Sequence, residues 1–121
     1  MSAKELIAQY YRSLAAKDNS WQDIWAEDAT FADASRTLDA KGKAAVIASF
    51  TPFLRGVESV AVKQMITEGD NVCAIVAYRY VNPRGAHLDQ DVAEVWRVEG
   101  ESLKNLVIYF DLTAYRSFIA G

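Results

Sequence analysis

The stretch NVCAIVAYRYVNPRGAHLDQDVAEVWRVEGESLKNLVIYFD, residues 71–111, decides the fold. It is rich in Val, Ile, Tyr and Trp, and the clusters NPRG and EGES interrupt it where a chain turns. With VESVAVKQMIT before it and EGDN between, the pattern predicts four strands near residues 57–67, 72–81, 88–98 and 103–112. Connections this short join neighbours, so the strands form an antiparallel meander. Period two assigns faces within each strand: Ala74, Val76, Tyr78 and Tyr80 share one side of the second, Val92, Glu94, Trp96 and Val98 one side of the third, and Leu106, Ile108 and Phe110 one side of the last. The opposite set, including Cys73, Ile75, Val95, Val107 and Tyr109, is also rich in apolar residues. Both faces are therefore expected to be covered, one by helices and the other by a second copy of the chain, which predicts a homodimer through the outer sheet face.

Upstream the period changes. Leu6, Ile7, Tyr10, Tyr11 and Leu14 recur every three or four residues, as on an amphipathic helix. Ser20 and Asp23 resemble a capping arrangement for a short second helix carrying Trp21, Ile24 and Trp25. Ala29–Asp33 alternates like a brief strand, the polar stretch to Lys41 suits a loop or small hairpin, and a third helix is expected from about Gly42 to Phe50, with Thr51 before Pro52 able to cap a further turn. Asp111 reads as the N-cap of a C-terminal turn. Helices followed by a curved sheet, with no repeat or linker, give a single α+β domain over residues 1–121.

Composition removes several functions. The 121 residues are 51% hydrophobic and 24% charged, with 13 Lys and Arg against 16 Asp and Glu. The net charge of -3 and the lack of a basic run argue against nucleic acid as a partner. No apolar run approaches the roughly 20 residues that span a bilayer, and MSAKELIAQYY lacks the order of a signal peptide, so no membrane partner and a cytoplasmic location are expected. Cys73 and His87 are each the sole residue of their type, which excludes a thiolate cluster or a zinc site needing two imidazoles. Without a glycine-rich phosphate cradle as well, no cofactor or metal is expected, and the chemistry left is that of carboxylates and tyrosines.

The element order, with AEDATFAD at residues 26–33 and LVIYFD at 106–111, resembles the nuclear transport factor 2-like superfamily in its SnoaL-like and ketosteroid isomerase-like branch. That resemblance implies a cystatin-like cone: N-terminal helices on a strongly curved, mainly antiparallel sheet, around an apolar pocket. Ketosteroid isomerases carry a general-base aspartate at the end of a segment similar to AEDATFAD, which assigns that role to Asp33. Their oxyanion donors are a first-helix tyrosine, here matched to Tyr10 in the pattern Tyr10, Leu14, Asp18, and a protonated acid, here matched to Glu94 ahead of Val95-Trp96-Arg97. Trp25, Phe53, Tyr78, Tyr80, Trp96 and Phe110 offer enough aromatic surface to line a pocket for a planar, mostly apolar ligand, or equally to fill a solid core. These, Tyr80 excepted, are with Phe31, Phe50 and Ile108 the candidate substrate-binding residues, and the resemblance implies a cyclic carbonyl ligand.

Each residue also has a plainer reading: Asp33 as a turn aspartate, Tyr10 as core packing, Glu94 as an inward acid bridged by a partner, His87 as an exposed loop residue. Two functions follow. One is a cofactor-free enzyme abstracting a proton beside a carbonyl, as an isomerase or cyclase does. The other is a non-catalytic ligand-binding or dimerisation module, favoured by Phe50 where the isomerases place a supporting tyrosine and by the extra methylene of Glu94 over aspartate.

Overall fold

A computed structural model describes residues 1–120. The first helix, α1 (Ala3–Ala16), buries Leu6, Ile7, Tyr10, Tyr11 and Leu14, the predicted stripe. It begins at a reciprocal cap in which Ser2 Oγ accepts from the Glu5 N–H and Glu5 Oε1 accepts from the Ser2 N–H, each at 3.1 Å. It ends at Lys17, whose left-handed φ of 57° turns the chain out of the helix.

The segment after it departs from expectation. Ser20–Ile24 forms a 3-10 turn without a side-chain cap. Asp18 does the organising there: its Oδ1 accepts from Ser13 Oγ at 2.7 Å and from the Ser20 N–H at 2.9 Å, while Ser13 Oγ accepts from the Trp21 N–H at 2.8 Å. Trp25 belongs to no helix and opens strand β1 (Trp25–Asp33). The hairpin partner β2 (Asp39–Lys41) follows, then helix α2 (Lys43–Arg55), which runs without a break through Pro52. A proline inside the helix removes one N–H bond and costs about 3 kcal/mol, and Phe53 just beyond it packs on Tyr78 at 5.5 Å and Tyr80 at 5.8 Å.

Strands β3 (Val57–Glu68), β4 (Asn71–Val81), β5 (His87–Glu99) and β6 (Ser102–Tyr109) form the meander where the alternation places it. The six strands lie in the order β2-β1-β6-β5-β4-β3, antiparallel except for β1 alongside β6. That parallel pair arises because β1 is separated from β6 by α2 and the whole meander, so neither a hairpin nor a short turn constrains its direction. Helix α3 (Leu112–Ala120) closes the described chain and starts at Asp111, whose Oδ1 accepts from the Ala114 N–H at 3.0 Å. The N-cap expected at Asp111 is thus in place, although the helix is longer than a single turn.

The sheet is open, and α1 and α2 pack on its inner face, giving the α+β cone. Ala74, Val76, Tyr78, Tyr80, Val92, Glu94, Trp96 and Val98 are all buried on that face. The outer face is different. Register aligns Ile66, Cys73, Val95 and Val107 in one row across β3 to β6, with Ile75, Ala93 and Tyr109 in the next. Ile66 is 56% exposed, Val95 41% and Tyr109 50%, a large apolar surface for one sheet face to leave in water. No helix among the described residues is long and apolar enough to cross a membrane.

Candidate functional site

Between the sheet, the end of α2 and α3 lies a cavity of about 340 Å³. Its wall is built from Phe50, Pro52 and Phe53 on α2, Tyr78 and Tyr80 on β4, Val92 and Glu94 on β5, Phe31 on β1, and Ile108 and Phe110 at the end of β6. Thr37 and Leu38 from the β1–β2 turn and Leu112, Tyr115, Arg116 and Ile119 around α3 complete it. Exposure rises from buried Glu94 and Tyr78 to exposed Leu38, Arg116 and Ile119, which marks the open end. An apolar wall with few polar groups is the usual make-up of a small-molecule site.

Among the described residues Glu94 is the sole carboxyl group in this wall, and it is only 3% exposed. The Tyr78 hydroxyl donates to its Oε2 at 2.9 Å, the Tyr11 hydroxyl donates to its Oε1, and Trp96 Nε1–H donates to the Tyr11 oxygen at 2.9 Å. Desolvation pushes the Glu94 carboxyl up from its ordinary 4.5 to about 7, against the two tyrosine hydrogen bonds, which favour the anion. Burial first, and the Glu94 charge second, hold the Tyr11 and Tyr78 hydroxyls well above their ordinary range, so they stay protonated as donors. The result is a carboxyl group that changes charge near neutrality inside an apolar cavity. It can take up or release a proton there.

Several predicted site residues stand elsewhere. Tyr10 is 1% exposed in the core, stacked on Tyr11 at 5.2 Å and edge-on to Trp96 at 4.8 Å, and takes no part in the cavity wall. The first-helix hydroxyl that meets Glu94 is that of Tyr11, one residue later. Both tyrosines lie on the buried stripe, and one helical step of about 100° separates a hydroxyl aimed at Glu94 from one buried among rings. Trp25 and Trp96 also pack behind the wall, 5.5 Å apart, in the cluster that supports it. Phe31, Phe50, Phe53, Tyr78, Ile108 and Phe110 do line the cavity.

Asp33 follows the inward alternation and is buried, yet its carboxylate turns into its own loop. Oδ1 accepts from the Leu38 N–H at 2.7 Å and Oδ2 from Ser35 Oγ at 2.6 Å. Burial would raise its pKa, but these hydrogen bonds outweigh it and leave the group below the ordinary aspartate value. Asp33 is not among the cavity-lining residues, but it is tied to the wall directly through the Leu38 N–H and indirectly through Ser35, whose hydroxyl lies 3.1 Å from that of wall residue Thr37. Held below the ordinary aspartate value, the Asp33 carboxylate is a weaker base than Glu94, which also accepts from two donors but is raised by its deeper burial. The plainer reading of Asp33 as a turn aspartate is the arrangement found, with Ser35 Oγ and the Leu38 backbone N–H as its donors.

Tyr80, one of the aromatic residues expected to line a pocket, does line the cavity, whereas Tyr11 and Tyr115 are polar-tipped residues of the region that the sequence did not single out. His87 is half exposed on the outer sheet face with its Nε2 2.7 Å from Glu58 Oε2, far from this chemistry. Among the described residues no three His, Cys, Asp or Glu side chains converge as metal ligands would.

An open mixed sheet wrapped on helices is the architecture of the nuclear transport factor 2-like proteins. The family model for the SnoaL-like domain matches residues 7–105, and the chain belongs to that family. A nuclear transport factor 2-like protein of unknown function from Burkholderia pseudomallei is similar over 100% of both chains, with a TM-score of 0.86 and 17% identity. The epoxide hydrolase/cyclase-like enzyme SalBIII, which has a role in pyran ring formation in the polyether salinomycin, is similar over 92% of each chain at a TM-score of 0.82 and 18% identity. A protein with a ketosteroid isomerase-like fold from Catenulispora acidiphila, solved with trimethylamine, covers 96% of this chain and is itself covered over 92%, with a TM-score of 0.79 and 16% identity. No curated protein matches the sequence. At these identities the structural likeness speaks for the fold, and the chemistry has to be argued from the cavity.

Proposed function

We propose that the chain is a cofactor-free acid/base enzyme acting on an apolar, cyclic carbonyl compound, with Glu94 as the proton-transfer group. The observation that carries this reading is the buried Glu94 carboxyl, poised at about 7 between the Tyr11 and Tyr78 hydroxyls in an otherwise apolar wall. As carboxylate, Glu94 removes a proton from the carbon beside the carbonyl. As carboxylic acid it returns that proton to a second atom of the substrate, which gives isomerisation or, with ring closure, cyclisation. The aromatic walls exclude water and hold a flat substrate. The role in pyran ring formation of SalBIII, an epoxide hydrolase/cyclase-like enzyme on the same fold, supports an enzymatic reading of the cavity.

The test is conversion of a panel of cyclic enones and β-diketones by wild type, Glu94→Gln and Asp33→Asn. Turnover should fall about 100-fold or more in Glu94→Gln and stay within a few-fold of wild type in Asp33→Asn, provided that variant is folded. Loss in Asp33→Asn with Glu94→Gln active would return the base to Asp33. Saturable binding without turnover in any form would make the chain a binding module.

The outer sheet face supports a separate proposal, a homodimer. Its apolar row of Ile66, Cys73, Val95 and Val107 crosses four strands with Val95 near the middle. Sedimentation equilibrium should return twice the chain mass for wild type at micromolar concentration and the single-chain mass for Val95→Lys, because a lysine there places a charge in the buried centre. A wild type that sediments as one chain would refute the dimer.

A further inference from the structure

Helix α3 brings one charged side chain to the cavity. Leu112, Tyr115, Arg116 and Ile119 line the wall at the spacing of a single stripe on one side of the helix. Leucine, tyrosine and isoleucine are what such a stripe calls for; an arginine is not. Arg116 is exposed, and among the described residues no carboxylate lies within ion-pair distance of it. Asp111, just before α3, uses its carboxylate on the Ala114 N–H instead.

The charges of the cavity are therefore set apart. Glu94 is buried in the wall, while Arg116 stands at the open end with exposed Leu38 and Ile119. Thr37, Leu38, Leu112, Tyr115 and Ile119 around that opening carry no charge, so the mouth is positive although the whole chain carries -3. An apolar ligand with an anionic group is then favoured in one orientation. A carboxylate entering first would meet the Glu94 carboxylate where little water screens the repulsion. One left at the mouth meets a guanidinium, whose planar fork of donors matches the two carboxylate oxygens.

We infer that Arg116 is the specificity-determining residue of the cavity, and that the ligand is an apolar ring compound carrying a carboxylate on the end opposite its reacting carbonyl. The inference rests on the functional reading above and adds to it the second functional group of the substrate and its direction, with the carbonyl toward Glu94 and the carboxylate outward at Arg116. The aliphatic stem of Arg116 continues the apolar stripe of α3 while its head stays in water, so the pair forms without burying either charge.

Two probes that differ by that carboxylate test this, 2-acetylnaphthalene and 6-acetyl-2-naphthoate. Their dissociation constants would be measured by fluorescence titration at about pH 8 with wild type, Arg116→Gln, Arg116→Lys and Arg55→Gln. Wild type should bind the naphthoate about 5-fold more tightly than the neutral ketone, and the preference should shrink at high salt. Arg116→Gln should abolish the preference while binding the ketone within about twofold of wild type, and Arg116→Lys should keep part of it. Arg55→Gln removes an exposed charge next to wall residue Gly56 but outside the wall, and should keep all of it. A preference absent from wild type, surviving in Arg116→Gln, or lost equally in Arg55→Gln would overturn the role of Arg116 and leave the cavity reading intact. Failure of both probes to bind any of the four proteins would overturn the cavity reading and this inference with it.

Discussion

Raising the pH through neutrality should destabilise this protein through a single side chain, and Glu94→Gln should remove that loss. Glu94 is protonated up to about 7 when folded and up to about 4.5 when unfolded. Its folded-state value is raised, so its contribution is fully present below the ordinary glutamate value and is lost as the pH climbs through about 7. A gap of that size corresponds to about 3 kcal/mol between the two limits, or a change in melting temperature on the order of 10 °C for a domain of this length. Glutamine is close in shape to the neutral acid and can still accept from Tyr11 and donate to the Tyr78 oxygen. The two proteins should therefore be similar in stability near pH 4.5, and the variant should be the more stable at pH 8. The aspartates work in another window and with the opposite sign. Asp18, Asp28 and Asp33 lie below their ordinary value, so what they contribute is lost only as the pH falls into the acid range. Subtracting the variant's urea midpoints from those of the wild type across pH isolates Glu94. Parallel curves would mean that the carboxyl is ionised throughout and would remove the basis for its catalytic role.

Trp96→Ala should cost the most stability of any single truncation at the site, about 3–5 kcal/mol. Trp96 is fully buried, meets Tyr10 edge-on at 4.8 Å and Trp25 at 5.5 Å, and donates from Nε1 to the Tyr11 hydroxyl at 2.9 Å. Its removal opens a large void and releases the tyrosine that holds Glu94. For a domain whose whole stability is about 5–15 kcal/mol, that loss brings the chain near unfolding at room temperature. Trp96→Phe separates the two effects. It keeps most of the ring contact but deletes the donor, so it should cost less than the alanine while leaving Tyr11 less well held. Urea unfolding at fixed protein concentration reads both variants, and a loss below about 1 kcal/mol for Trp96→Ala would show that the aromatic cluster does not support the site.

The two variants draw on different depths of information. That Trp96 and Glu94 share an inward face follows from alternation alone, because a strand sends successive side chains to opposite sides whatever surrounds it. The four long strands, their meander and the buried stripe of α1 were legible for the same reason: each is a local period expressed over many residues. The 3-10 turn was not. Ser20 and Asp23 have the form of a cap, but Asp18 and Ser13 supply the stronger bonds from the side of the preceding helix. Pro52 likewise suggests a boundary to a local reading, and packing of Phe53 against Tyr78 at 5.5 Å carries the helix past it.

What the sequence determined by itself, then, is the family, the α+β layering, and the placing of Glu94 and Trp96 on one face of β5, with the question of whether that face meets a cavity left to the tertiary structure. These depend on periods and residue types that survive any small rotation of one element against another. Only the tertiary structure decided which hydroxyl meets that acid, since Tyr10 and Tyr11 are both buried and the angle of α1 over the sheet selects between them. Only it showed that the Asp33 carboxylate is held by Ser35 and Leu38 in its own turn. The physical reason is the same in each case. A hydrogen bond is made or missed within about half an ångström, whereas the period of a helix or strand locates a side chain only to a face.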